Sequence, residues 1–114
     1  MQSFTPPSRG EVTSFRSETL ADGTIRLSVR GELDAARSKA LREELDDVVA
    51  RRPPRLIVDL GAAPFLDSAA LAALVAARRQ LAAHGSELVL ARVSASVRRT
   101  VQLTGLEAIL PIES

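Results

Sequence analysis

The sequence predicts an α/β domain with a mixed sheet of four to five strands packed against helices. Three observations carry that prediction. Short apolar or alternating runs take turns with stretches of helical spacing, an alternation that builds parallel crossovers. The first two runs flank Asp22-Gly23, a turn dipeptide, so the sheet opens with an antiparallel pair. At 114 residues, 46% hydrophobic and 25% charged, the chain suits one domain with a continuous core.

Residues 1–10, made largely of Ser, Pro, Thr, Gln and Gly, offer little to bury and are expected to form a disordered leader before a domain over 11–114. Val12 to Leu20 suits a modest strand, and Asp22-Gly23 a tight hairpin turn. Ile25, Leu27 and Val29 alternate with Arg26, Ser28 and Arg30, the pattern of a half-buried strand. Asp34 then offers an N-cap for a helix whose Leu41, Leu45, Val48 and Val49 fall on one stripe. Arg51-Arg52 stands at its C-terminal end and Pro53-Pro54 stops it.

Leu56-Ile57-Val58-Asp59-Leu60 is a nearly unbroken apolar run between turn residues, expected as a central buried strand. A turn over Gly61–Pro64 leads through Phe65-Leu66 to Asp67-Ser68. There a long Ala/Leu helix begins, ending near His84 with Gly85 at C′. Leu88-Val89-Leu90 is another core strand. Ser94 or Ser96 caps a third helix carrying Val97, Val101 and Leu103, and Gly105-Leu106 has the form of a Schellman stop. Leu110-Pro111-Ile112 fits a final edge segment, where proline is tolerated. The order is β-β-α-β-α-β-α, with a last strand to follow.

Composition excludes several functions. Fifteen basic and 14 acidic residues give a net charge of +1, without the basic excess that nucleic-acid binding uses. No cysteine is present, which removes disulfides and thiolate metal sites, and no His/Cys cluster suggests a metal. The longest nearly apolar run, Ala69 to Ala77, is far shorter than the ~20 residues of a membrane span. A cytoplasmic location is the expectation. Tyr and Trp are absent, which argues against a base- or sugar-stacking surface.

Catalysis finds no constellation. Ser68 and His84, the only imidazole, lie on one expected helix roughly 24 Å apart at 1.5 Å per residue, too far for proton transfer. No G-x-S-x-G elbow surrounds Ser68. Asp59 and Asp67 are a candidate carboxylate pair, but they are more simply two turn or cap carboxylates. Glycines at 10, 23, 31, 61, 85 and 105 never cluster into a phosphate-cradling loop. The chain is therefore expected to be no enzyme and to need no cofactor.

Asp67-Ser68 before Ala69-Ala70-Leu71 is a helix start, with one of the two residues as N-cap. A hydroxyl there faces unsatisfied N–H groups, and a phosphate would be tolerated by the helix dipole. Phosphorylation would add about −1.5 to −2 charges beside Asp67 and alter what the surface binds.

Three segments resemble the STAS domain, in the form of bacterial anti-sigma factor antagonists. Gly31-Glu32-Leu33-Asp34 looks like the family's G-E-L-D. Leu56–Leu60 followed by Phe65-Leu66-Asp67-Ser68 is similar to its strand and F-x-D-S-S-G-L. Val97-Arg98-Arg99 through Leu103-Thr104-Gly105-Leu106 resembles its last-helix ending. The likeness runs from about residue 12 to 112 and implies the family's mixed sheet with flanking helices. It further implies that the unmodified protein binds an anti-sigma factor with serine kinase activity and so frees a sigma factor. Phosphorylation at Ser68 then breaks the complex, and a serine phosphatase resets it. The implied partner surface is Asp34, Asp67, Ser68, Ala69, Ala70 and Leu71. Ala69 and Ala70 replace the motif's second Ser and its Gly, and alanine is the better helix former than glycine by roughly 0.8–1.0 kcal/mol. The rival readings are a STAS-fold scaffold or transporter-associated subunit without a phospho-switch, and a nucleotide-binding module. An exposed edge strand leaves a homodimer open.

Overall fold

In the computed structural model, which describes residues 14–113, the elements are β1 (Ser14–Thr19), β2 (Ile25–Arg30), α1 (Ala35–Ala50), β3 (Arg55–Ala62), α2 (Ser68–Ala82), β4 (Glu87–Ala91), α3 (Ala95–Leu103) and β5 (Ile112–Glu113). The five strands lie side by side in chain order, β1 antiparallel to β2 and every later pair parallel. The expectation for residues 1–10 falls outside the described residues, as does Val12.

Alternation along the strands sorts the two faces of the sheet. Ile25, Leu27 and Val29 point the same way as Leu56, Val58 and Leu60 and as Leu88 and Leu90, and all of them are buried. Leu41, Leu45 and Val48 of α1, Ala70, Leu74 and Leu81 of α2, and Val97 and Val101 of α3 join them in one core. All three helices therefore cover the same face. Each large aliphatic side chain so buried contributes about 1.5–3 kcal/mol. The opposite face carries Arg26, Ser28 and Arg30 on β2, and a separate small cluster of Ile57, Val89 and Ala91 at its centre. This explains the unbroken apolar run of β3, which is buried on both sides from Leu56 to Leu60.

The local signals for helix starts and stops are met closely. Asp34, Asp67 and Ser94 are the three N-caps, each accepting from a backbone N–H three residues on. At the end of α3, Leu106 N–H donates to Val101 O at 3.1 Å and Gly105 N–H to Gln102 O at 3.1 Å, the paired bonds of a Schellman motif.

Two expectations need correcting. The β1–β2 connection is a wider loop, in which Leu20 N–H donates to Thr24 O at 2.7 Å and Gly23 N–H to Leu20 O at 3.0 Å. Only Gly23 in it has positive φ, 91°; the Asp22 carboxylate instead accepts from Thr24 N–H at 2.9 Å. Leu103 does not join the apolar stripe of α3. It stands two residues past Val101, about 200° around the helix and so on the side away from the Val97–Val101 stripe, and is 75% exposed.

Candidate functional site

Each parallel strand hands the chain to a helix at its carboxyl end, so the loops after β2, β3 and β4 share one edge of the molecule. Three helix N-termini, with their free N–H groups and positive dipole ends, gather there. The loops are stitched together. Leu33 and Leu66 form an isolated parallel bridge, with Leu33 N–H donating to Phe65 O at 3.1 Å and Asp67 N–H to Leu33 O at 3.1 Å. Gly31 makes this possible by turning the chain out of β2 at φ 102°, a conformation open to glycine, while its N–H donates to Ala62 O at 2.8 Å.

Side chains extend the stitching. The Ser38 hydroxyl is 2.8 Å from Asp34 O and 2.8 Å from Asp67 Oδ1, linking the first turns of α1 and α2. The Ser94 hydroxyl reaches Pro64 O at 3.3 Å from the third loop. Asp34, besides capping α1, holds Arg37 through a 2.6 Å ion pair.

The division of labour at Asp67-Ser68 follows from this geometry. Asp67 is the N-cap of α2: its Oδ1 accepts from Ala70 N–H and from the Ser38 hydroxyl, both at 2.8 Å. Ser68 is the first residue of the helix, exposed, and its hydroxyl has no hydrogen-bond partner among the described residues. The capping role is thus taken by the carboxylate, and the serine oxygen is left to solvent.

The neighbouring positions divide by helical phase. Ala69 and Ala72 are exposed on the same side as Ser68, and Phe65, just before the helix, is 45% exposed. Ala70 is fully buried and packs in the core, so the expectation that it forms part of a partner surface is not met by its side chain. A side chain larger than a methyl would collide there with the α1–α2 packing. Leu71 is likewise nearly buried, and contributes only the floor of a shallow groove of about 380 Å³. That groove runs from Ser68 past Val75 and Ala76 to Thr104 and Leu106 at the end of α3. Phe65 and the α3 terminus were not anticipated as surface features. Phe65 follows Pro64 in a loop without periodicity, and the groove depends on how α3 packs beside α2.

Asp59 does not belong to this site and is not a turn or cap carboxylate. It lies 3% exposed on the open sheet face, accepting from Arg26 Nη2 at 2.5 Å, from Arg92 Nε at 3.1 Å and from Gly61 N–H at 2.8 Å. Burial works against its charged form, but the Arg26, Gly61 and Arg92 bonds outweigh it and hold the carboxyl below the usual range. Gly61 admits this arrangement by its bareness, since a Cβ there would meet the Arg92 guanidinium at 2.9 Å. Among the described residues no group of His, Asp and Glu has the makings of a metal site, and no helix is long and apolar enough to cross a membrane.

The comparisons with known proteins agree with this arrangement. The anti-sigma-F factor antagonist RsfB of Mycobacterium tuberculosis is 38% identical over 91 residues, covering 78% of this chain and 74% of that one. The crystal structure of an anti-sigma factor antagonist from Mycobacterium paratuberculosis superposes with a TM-score of 0.81 at 32% identity, over 90% of this chain and 86% of the other. The Bacillus cell fate determinant SpoIIAA in its phosphorylated form, at 20% identity, shares the fold with a TM-score of 0.69 over 89% of this chain and 92% of its own. A family model for the STAS domain matches residues 18–114. With the five-stranded mixed sheet, the one-sided helices and the loops knitted around Asp67-Ser68, this match shows that the chain belongs to the STAS domain family.

Proposed function

We propose that the protein is an anti-sigma factor antagonist whose unphosphorylated form binds a kinase-type anti-sigma factor, releases a sigma factor, and is switched off by phosphorylation at Ser68. The observation that carries the reading is the Ser68 hydroxyl, exposed and without a hydrogen-bond partner among the described residues at the first turn of α2 while Asp67 caps the helix. Because capping does not need the serine, a phosphate on it leaves the fold intact. The anti-sigma factor antagonists at 38% and 32% identity support the partner class.

The docking surface in this reading comprises Phe65, Ser68, Ala69 and Ala72, the groove running toward Leu106, and the Asp34–Asp67 corner. A phosphoryl group would bring about −1.5 to −2 charges into this largely apolar contact, beside the Asp67 carboxylate. Like-charge repulsion and the cost of stripping water from the phosphate then break the complex. Of the two alanines that replace Ser and Gly in the motif, only Ala69 reshapes the contact, since Ala70 belongs to the core. The anti-sigma factor supplies the ATP and the kinase activity, a serine phosphatase restores the hydroxyl, and the exchange takes place in the cytoplasm.

Affinity capture from a native lysate with and without ATP, followed by phosphosite mapping, tests the reading. Ser68→Ala should hold an anti-sigma factor whether or not ATP is present, and Ser68→Asp should hold it weakly. Equal capture by both variants and the wild type would defeat the switch and favour a constant scaffold role.

A further inference from the structure

The open face of the sheet holds a second concavity, at the carboxyl ends of β2 and β3 and facing away from the helices. It encloses about 420 Å³ and is lined by Ser14, Arg16, Ser28, Arg30, Asp59 and Arg92, together with Val29 and Ala62. Strand register builds it. Ser14 stands opposite Arg30, Arg16 opposite Ser28, and Ser28 beside Asp59. A bulge bends the floor, because β3 runs from Asp59 to Ala62 while β2 advances from Ser28 to Arg30. Arg92, in the left-handed region at φ 55°, folds back over Gly61 to close one side.

The charges in this concavity are unbalanced. Its one carboxylate is already saturated: Asp59 Oδ1 takes Gly61 N–H and Arg92 Nε, and Oδ2 takes Arg26 Nη2 and Arg92 Nε. Arg92 binds through Nε alone, so its two Nη groups point elsewhere without a partner among the described residues. Arg16 and Arg30 likewise have no ion pair or hydrogen bond there. Three guanidinium groups against one carboxylate leave an excess of two positive charges around the space. Folding gains nothing from bringing free like charges together.

We propose that this concavity is an anion site that takes a phosphate-ester group. Guanidinium forks match phosphate oxygens two at a time, and three of them with the Ser14 and Ser28 hydroxyls offer more donors than the two oxygens of a carboxylate would use. The volume exceeds that of a phosphate and leaves room for the body that bears it. The group comes either from a small soluble phosphate ester or from a phospholipid headgroup. The site is separate from Ser68 and stands independently of the proposed switch.

The test uses the full chain at low salt in two arms: calorimetric titration with glycerol 3-phosphate, a soluble phosphate ester, and sedimentation with phosphatidylcholine vesicles containing or lacking phosphatidic acid. Arg16→Gln and Arg30→Gln should each weaken binding about tenfold, and together abolish it, with the thermal midpoint unchanged because both side chains are exposed and have no partner among the described residues. Ser68→Ala should bind like the wild type, separating this site from the docking surface. Phosphatidic-acid-dependent sedimentation lost in the double variant assigns the lipid source, and glycerol 3-phosphate binding without sedimentation assigns the soluble one. Absence of binding in both arms, or binding that the double variant retains, overturns the proposal.

Discussion

Asp59 and Asp67 bracket the same corner between β3 and α2, yet the molecule uses them in opposite ways. Asp59, inside a strand, is sealed on the sheet face by two arginines drawn from β2 and from the end of β4. Asp67, at a helix start, accepts from Ala70 N–H and the Ser38 hydroxyl and so frees the residue beside it. One carboxylate is spent on tying strands together. The other relieves a hydroxyl of a structural duty, and that is what makes a surface switch compatible with a rigid fold.

Removing the sealed carboxylate should have the largest effect. Asp59→Ala leaves the Gly61 N–H without its carboxylate acceptor and unties Arg26 and Arg92; a loss of about 2–3 kcal/mol in denaturant unfolding is expected. The same residue sets an acid limit. Its folded pKa lies below the usual 3.8, so its contribution is complete above the unfolded value and disappears as pH falls through the folded one. The stability gap between wild type and Asp59→Asn should therefore be full at neutral pH and shrink progressively below about pH 4. A gap independent of pH would place the stabilisation in packing.

Asp67→Ala should cost less, about 1–2 kcal/mol, for the lost cap and the lost bridge to the Ser38 hydroxyl, which keeps Asp34 O. Thermal unfolding of Asp67→Ala and Ser38→Ala, singly and together, sharpens the contrast: the pair should show coupling if the bridge between the helix starts is real. Gly61→Ala forces Arg92 off Asp59 and is expected to cost about 1 kcal/mol, an effect that should vanish in an Arg92→Ala background. Ser68→Ala should change stability by less than about 0.5 kcal/mol. A larger loss would mean that the serine has a folding role after all, and the comparison would fail at its most useful point.

How legible these two residues were in the sequence follows from the range of their bonds. Asp34, Asp67 and Ser94 cap by bonding three residues ahead, and such local patterns survive translation into a string of letters. The strand and helix order was legible for the same reason, since each element carries its own period. Asp59 bonds to residues 33 positions away on either side, and nothing near it distinguishes it from a turn carboxylate. The Leu33–Leu66 bridge is equally non-local. Leu103 misled because it is apolar, although two residues past Val101 it falls on the far side of the helix from the buried stripe. Ala70 misled because a motif likeness marks a stretch of chain, whereas helical phase decides which of its side chains face outward.

The strand order has a consequence for how the chain assembles. Every strand pairs with the one synthesised just before it, so no segment has to wait for a distant partner to complete its ladder. Loop-closure entropy is met in small instalments, and folding should advance from the hairpin through successive βαβ units as they emerge. Shortening the chain from its C-terminal end should then leave the earlier pairings formed, exposing one fresh edge at a time.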